Sequence, residues 1–285
     1  MFRELADSMD SSVVARIDER LAEVRRDQNV AIPLAVESGS RAWGFPSPDS
    51  DYDCRFIYIR PPEDYLALWA KRDVIETPLD PILDVNGWDL GKALKLLLKG
   101  NATVVEWLTS PISYRTNQAF RADLLELAHN VTDRRLIGRH YLHLGERQRK
   151  TYFHDGKPIA QKKIFYALRP AASLRWLRLH PEATVPPMNL PTLLAECDPP
   201  LDVRDIAVDL IAKKAVTHEL GTMLLPDPVA SFLDAEFKAA ALVFEKSRAT
   251  VSAESRLRCN AFFLSALERQ AILDLDDEPV VRTDN

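Results

Sequence analysis

Strand-like patterns occur only in the first 112 or so residues of this 285-residue chain, and helical patterns fill nearly all of the rest. Short apolar runs that stop at Pro or Gly indicate strands at about 30–36, 53–59, 73–76 and 81–87. Pro33 makes the first of them a poor central strand. The division predicts an α+β fold, with an N-terminal mixed sheet and helices followed by an all-helical C-terminal region.

Helical spacing of apolar residues defines the second part of the chain. The predicted helices there cover 118–129, 133–150, 159–179, 190–196, 203–220, 228–244 and 254–273. Earlier helices are predicted at 11–26 and from the N-cap Asp89 to Gly100. We place two domains at 1–115 and 116–285, with the boundary inside 108–132, and expect the acidic tail 274–285 to be frayed.

Composition favours a cytoplasmic protein. The longest apolar runs are far shorter than the roughly 20 residues that span a bilayer, and the N-terminus lacks the pattern of a signal peptide. Three widely spaced cysteines suggest a reducing compartment and no zinc site. Residues 131–180 contain twelve Lys or Arg against three Asp or Glu, so that segment carries +9 and the remainder −14. The asymmetry predicts a surface that meets an anion, although solvated helix faces would also produce it.

Two carboxylates stand at alternate positions where the second predicted strand begins. Asp51 and Asp53 would project from the same face, where a divalent cation would relieve their repulsion. Asp84, between apolar neighbours on a later strand, is the candidate third carboxylate, and Asp89 is its rival. Because Asp89 has a sufficient role as a helix cap, we prefer Asp84. Ordinary turn chemistry remains the alternative for Asp-x-Asp alone.

A Gly-Ser turn lies ten residues before this pair. Gly39 allows the backbone to approach a ligand closely, Ser40 adds a hydroxyl donor, and Arg41 adds a charged one. If a short helix starts here, its free N–H groups would also favour phosphate.

The ordered array resembles the active-site pattern of the polymerase-β-type nucleotidyltransferase superfamily. More narrowly, GSRAWGFPSPDSDYDCRFIYIR and DVNGWDLGKALKLLLKGNATVVEWLTSP resemble the predicted nucleotidyltransferases described as RNA-ligase-associated. GKPIAQKKIFYALRPAASLRWL is similar to the helical part of that family, more weakly. Ser38 departs from the superfamily pattern, in which a hydrophobic residue often precedes Gly-Ser.

The resemblance implies specific roles. Asp51 and Asp53 would hold two Mg²⁺ (or Mn²⁺) ions, and Asp84 would hold one of them and help to deprotonate an acceptor hydroxyl. Gly39 and Ser40 would cradle the triphosphate. The fold would be of the nucleotidyltransferase type.

The helical region offers further candidate nucleotide contacts. Lys162, Tyr166 and Arg169 share one helix face, which suits phosphates and a base, although a solvated face is the alternative. Exposed cations there would bind nucleotide without affecting stability. For Lys92, a phosphate contact and an ordinary surface lysine are equally good interpretations. His140 and His143 are expected to be a surface pair, and Trp43 and Trp88 packing residues.

The leading interpretation is a Mg²⁺-dependent enzyme that moves a nucleoside monophosphate from an NTP to an acceptor hydroxyl and releases pyrophosphate. The acceptor could be an RNA end, a protein or a small molecule, and the basic 131–180 segment permits RNA. Two alternatives stay open: a non-catalytic nucleotide or RNA-end binding module of the same fold, and a metal-dependent phosphohydrolase. Sequence identifies neither the base nor the oligomeric state.

Overall fold

The computed structural model describes residues 1–78, 80–154, 156–218, 220–245 and 251–270. The predicted tail 274–285 and the end of the last predicted helix lie outside them. The strands are β1 (Phe2–Glu4), β2 (Ala31–Ser38), β3 (Tyr52–Ile59), β4 (Val74–Glu76), β5 (Leu83–Asp89), β6 (Ser113–Thr116), β7 (Ile159–Ala160) and β8 (Thr222–Met223).

Twelve α-helices are present in the described residues. They are α1 (Ser11–Gln28), α2 (Gly39–Ala42), α3 (Pro62–Leu66), α4 (Leu90–Leu98), α5 (Ala102–Thr109), α6 (Gln118–Val131), α7 (Arg134–Tyr152), α8 (Lys162–Leu179), α9 (Leu190–Cys197), α10 (Leu201–Val216), α11 (Asp227–Ala240) and α12 (Ala253–Glu268). A π-helical turn at Ala241–Glu245 follows α11. The predicted α+β class is confirmed.

A six-stranded mixed sheet in the order β1-β6-β2-β3-β5-β4 forms the N-terminal part. The β3 and β5 strands are parallel neighbours, and every other pair in the sheet is antiparallel. The short strands β1 and β6 at one edge were not predicted, because neither is long enough to show alternation. The tiny β7–β8 ribbon was missed for the same reason.

Both faces of the sheet are covered, which explains why β2 is apolar at nearly every position. On one face, α1 packs against Ala35 of β2 and Phe56 of β3. On the other face, Leu34 and Ile57 join a larger core shared with the helical region. The register shifts next to Pro33, and this bulge accommodates a proline in a central strand.

The helical region is built around α8, which is buried on nearly all sides by α7, α9 and α11. Its core is continuous with one face of the sheet, since Leu168 and Leu34 belong to the same buried cluster. The last strand of the sheet ends at Thr116, and the domain division at 115/116 stays a prediction. None of the described helices is both long and apolar enough to cross a membrane.

Candidate active site

The parallel pairing of β3 and β5 brings two of the predicted carboxylates together. Asp53 is the register partner of Asp84, and both side chains leave the face that is turned toward the helical region. Asp51 is exposed in the loop one residue before β3. The sequence pattern therefore predicted the strands of Asp53 and Asp84 correctly, whereas the shared face of Asp51 and Asp53 stays a prediction.

Arg55, which the sequence reading did not single out, links this pair. Its Nη2 lies 3.3 Å from Asp53 Oδ1 and 2.5 Å from Asp84 Oδ2. Its Nη1 also donates to the Asp84 carbonyl at 2.6 Å, and Asn86 donates to the Asp84 carboxylate. The signal was available, because Arg55 continues the same i, i+2 series as Asp51 and Asp53.

The three carboxylates form one electrostatic cluster. Burial raises the pKa of Asp53 above its usual range, the nearby charges of Asp84 and Asp51 raise it further, and Arg55 opposes them. Among the described residues, no three carboxylate, His or Cys side chains converge closely enough to hold a metal by themselves. The donor set nevertheless fits Mg²⁺, which typically takes one or two carboxylates and completes its shell with water and substrate phosphates.

Gly39 is required beside this cluster. Its φ is +68°, and a Cβ built there would lie 2.0 Å from Asp53 Oδ2. The Gly-Ser turn therefore packs its backbone directly against the first carboxylate of the pair. The short helix predicted after it is α2, which has only four residues. So short a helix supports no argument from its dipole, and anion binding would rest on side chains.

Arg41 fixes the loop that leads into β3. It donates to the carbonyl oxygens of Ser50 at 2.6 Å and Asp51 at 3.2 Å, and its guanidinium lies 3.9 Å from the centre of the Tyr52 ring. These contacts hold Asp51 near the end of α2. They give Arg41 a positioning role in addition to the nucleotide contact that the sequence predicted.

Glu37 is a second residue that the sequence reading missed. It is fully buried at the end of β2, and burial raises its pKa to about 8, although hydrogen bonds from Tyr114 and from the backbone of Asp53 oppose the shift. The Asp53 N–H donates to Glu37 Oε1 at 3.0 Å. Glu37 thus supports the backbone of a candidate metal ligand. The sequence signal that could have identified it is a carboxylate directly after the seven apolar residues 30–36.

A cleft of about 380 Å³ opens beside the Gly-Ser turn, between the loop after α2 and the helical region. Ser40, Lys162 and Tyr166 line it, as their predicted roles require. Lys214 and His218, which no sequence pattern indicated, line it as well. Ser50 also lines the cleft, and the next residue in the chain is Asp51, one of the three carboxylates. The cleft therefore brings Ser40 of the N-terminal part together with Lys162 and Tyr166 of the helical part, whereas Asp51, Asp53 and Asp84 do not line it.

The prediction that Arg169 is an exposed cation is wrong. It is 5% exposed, and its Nη1 lies 2.7 Å from Oε1 of buried Glu106, which also accepts a hydrogen bond from Tyr141 at 2.9 Å. Its guanidinium also lies 4.2 Å from the centre of the Trp43 ring. The i, i+7 spacing from Lys162 is correct, but α8 is buried on that side by the time it reaches Arg169.

Lys92 lies at the other end of β5 from the carboxylates. Asp89 caps α4 by accepting from the Gly91 N–H at 2.8 Å, as predicted. Asp89 is five positions beyond Asp84, so the two are roughly 17 Å apart along the strand. Lys92 follows Asp89 and pairs with Asp73 at 3.0 Å. The structure does not bring Lys92 into the cluster.

The remaining residues that the sequence analysis considered are two tryptophans and two histidines. Trp43 and Trp88 pack against the larger core, which confirms their assignment as packing residues. His143 is exposed and His140 is half-buried, with its pKa lowered by burial. Neither belongs to a metal-binding group within the described part of the chain.

The fold and the carboxylate pair next to a Gly-Ser turn define a polymerase-β-like protein, as the sequence resemblance predicted. The chain belongs to the RNA repair pathway DNA polymerase beta family, RlaP, whose family model matches residues 13–265. It is 36% identical over 223 residues to the Bacillus subtilis (strain 168) protein named "Uncharacterized protein YcgL". That match covers 78% of this chain and 85% of the relative. The family suggests a nucleotidyltransferase-type function.

Proposed function

We propose that this protein is a divalent-metal-dependent nucleotidyltransferase that moves a nucleoside monophosphate from an NTP to an acceptor hydroxyl and releases pyrophosphate. The observation that carries this proposal is the register pairing of Asp53 with Asp84, against which the Gly39 backbone packs. Gly39 leads directly into Ser40, which lines the cleft. A nucleotide in the cleft would thus present its phosphates to the carboxylates.

Asp51, Asp53 and Asp84 are the residues that would hold Mg²⁺ or Mn²⁺. Bound there, the metal would neutralise charge on the phosphates and on the attacking and leaving oxygens. Arg55 already shares the Asp53 and Asp84 carboxylates. Its charge limits their repulsion and holds both side chains on the same face, so the ligands are positioned by the protein.

The other site residues bind and orient the substrates. Ser40 and Lys162 would contact the phosphates, and the Tyr166 ring would stack on the base. Arg169 supports this ring indirectly, because it packs on Trp43, whose ring centre lies 6.2 Å from that of Tyr166. Asp84, the more exposed member of the pair at 43%, would accept the proton of the acceptor hydroxyl.

Metal dependence of nucleotide binding is the first test. We expect NTP to bind at least about tenfold more tightly in Mg²⁺ than in EDTA, a difference of about 1.4 kcal/mol, because phosphate oxygens complete the metal shell. Calorimetry measures it. Asp53→Asn should remove the difference, and equal NTP affinity of the wild-type protein in Mg²⁺ and in EDTA would contradict the proposed metal site.

Gly39→Ala should separate backbone strain from interference with Asp53. Gly156 has nearly the same φ, +69°, but nothing lies within 4 Å of its added Cβ, so Gly156→Ala is the matched control. Both variants should lose about 1–2 kcal/mol of stability. Only Gly39→Ala should also lose about a hundredfold in transfer rate, because displacement of a reacting group by 1 Å has that effect. Equal activity of the two variants would exclude a site at Gly39.

RNA is the acceptor that the charge distribution of the helical region favours. Several cations of the basic 131–180 segment are used internally, such as Arg175 and Arg178 on Glu236. His143, Arg147 and Lys150, which we call the α7 stripe, are exposed at i, i+4 and i+7. No ion-pair partner for Arg147 or Lys150 is present among the described residues.

The α7 stripe lies on the side of α7 that carries half-buried His140. Glu106, Arg147, His143 and Arg169 are the charges that influence His140. Arg169 in turn packs on Trp43 at the end of α2. We propose that RNA bound on the stripe extends in this direction, with its terminus toward the cleft.

Replacing Arg147 or Lys150 by Ala should weaken binding of single-stranded RNA whatever its sequence. Each change should reduce the slope of log affinity against log salt by about 1, since each removes one phosphate contact. Filter binding across a salt series measures this slope. Arg135→Ala is the control, because Arg135 is an exposed cation of α7 outside the stripe that pairs with Asp133. An unchanged slope in both stripe variants would rule out this surface.

A further inference from the structure

Lys214 is a buried cation beside the cleft. It is 8% exposed in the last turn of α10, and its Nζ donates to the carbonyl oxygen of Phe45 at 2.6 Å. Within the described residues no carboxylate lies at ion-pair distance from it. An ammonium has three donors, so two remain for a ligand. Its neighbour Lys213 is exposed and pairs with Asp209 at 2.6 Å.

The surroundings of Lys214 disfavour its charge. Burial, together with the nearby positive charges of Lys162 and Arg41, lowers its pKa to about 8, although Asp49 opposes the shift. Asp49 also faces His218, with 3.9 Å between the carboxylate and the ring nitrogen. A buried charge without a close counter-ion is destabilising. An anion in the cleft would supply the missing counter-charge.

The cleft offers hydroxyl donors opposite this cation. Ser40, Ser47 and Ser50 line it, with 3.0 Å from Ser40 Oγ to Ser50 Oγ and 2.9 Å from Ser47 Oγ to Ser50 Oγ. Ser40 belongs to the turn that packs on Asp53, whereas Lys214 comes from the helical region on the other side. A polyphosphate that extends from the carboxylates past Ser40 would therefore end against Lys214.

We propose that Lys214 is a catalytic residue of nucleotidyl transfer, which contacts the departing pyrophosphate and donates a proton to it. This inference rests on the proposed function. It adds a proton donor on the leaving-group side of the reaction, opposite Asp84 on the acceptor side. A lysine suits this role when burial brings its pKa near the working pH.

The proposed step forms one bond to the α-phosphorus and breaks another, and each proton has a donor and an acceptor. As the acceptor hydroxyl gives its proton to Asp84 and its oxygen bonds to the α-phosphorus, the bond from that phosphorus to the oxygen bridging to the β-phosphate breaks. The electron pair of that bond stays on the pyrophosphate oxygen. The Lys214 ammonium gives a proton to an oxygen of the departing pyrophosphate and becomes a neutral amine. After pyrophosphate leaves, the amine takes a proton from water and Asp84 releases its proton to water.

Two substitutions separate charge from proton donation. Lys214→Arg keeps the cation but cannot release its proton near neutral pH, whereas Lys214→Met removes both. Calorimetry with inorganic tripolyphosphate in EDTA reports on the anion site, and pyrophosphate release from NTP, Mg²⁺ and acceptor reports on turnover. Lys213→Met is the matched control. Melting temperatures identify any variant that fails to fold.

We expect Lys214→Met to bind tripolyphosphate at least about tenfold more weakly, and Lys214→Arg to bind it about as well as wild type. The kcat of Lys214→Arg should fall about a hundredfold, the lower range for general acid catalysis. Wild-type kcat/KM, which reports on the free protein, should decline as pH rises through about 8, and this decline should be absent in Lys214→Arg. Wild-type kcat in Lys214→Arg would overturn the inference and leave the proposed function standing. No pyrophosphate from the wild-type protein would overturn both.

Discussion

Asp84→Asn is expected to abolish nucleotidyl transfer while the protein stays folded. Asp84 is the register partner of Asp53, and its carboxylate is partly exposed on the face where the substrate would bind. An amide of the same shape keeps the strand but loses the charge that, in the proposed function, would hold the metal and accept the proton. Because metal stabilisation is worth several kcal/mol, the rate should fall about a thousandfold or more.

Asp89→Asn is the matched control on the same strand. Asp89 caps α4 and accepts a hydrogen bond from Tyr65 OH at 2.7 Å, and Asn caps a helix about as well as Asp. Its transfer rate should stay within a few-fold of wild type, measured as steady-state pyrophosphate release. An inactive Asp89 variant beside an active Asp84 variant would reverse the assignment of the third carboxylate.

Arg169→Met is expected to cost about 3–5 kcal/mol of unfolding free energy, because it leaves the charge of Glu106 buried without its partner. Tyr141 OH would remain on Glu106, but a hydroxyl replaces only part of the lost interaction. Urea unfolding followed by circular dichroism measures the change. The sequence-based expectation of an unchanged melting temperature does not hold for a side chain that is 5% exposed.

The double variant Arg169→Met with Glu106→Gln distinguishes an ion pair from simple packing. Removing both charges leaves no uncompensated carboxylate, so the double variant should be clearly more stable than Arg169→Met alone. If the two losses simply add, the pair does not stabilise the fold in the way proposed. Lys162→Met should leave stability unchanged, since Lys162 is exposed beside the cleft.

The main strands and helices could be predicted because their patterns are long and their ends are marked. The Asp89 cap and the apolar stripe after it predicted α4 correctly. By contrast, β6 has four residues and is defined by pairing with β1 and β2, which are far away in the sequence. Local periodicity carries no information about such long-range pairing.

Part of the candidate site could be predicted for the same reason. Alternation predicted Asp51 and Asp53 on one face and Asp84 on a neighbouring strand. The structure pairs Asp53 with Asp84 and has Asp51 in the loop before β3. The surroundings of Lys214 could not be predicted, since its partner Phe45 is 169 positions away in the chain. Which sides of α8 are exposed also depends on packing by other helices. The sequence alone therefore gave no reason to expect Arg169 to be buried and Lys162 exposed.

Transfer of label from the α-phosphate of an NTP to an acceptor is a direct measurement of the proposed nucleotidyl transfer. The wild-type protein would be incubated with Mg²⁺ and each of the four NTPs labelled at the α-phosphate, with total cellular RNA or with dialysed lysate protein and metabolites as acceptor. We expect label to enter an acceptor with at least one NTP, one pyrophosphate to form for each label transferred, and Asp84→Asn to transfer none. Nucleotide binding without transfer, or release of free phosphate instead of pyrophosphate, would contradict the proposed function.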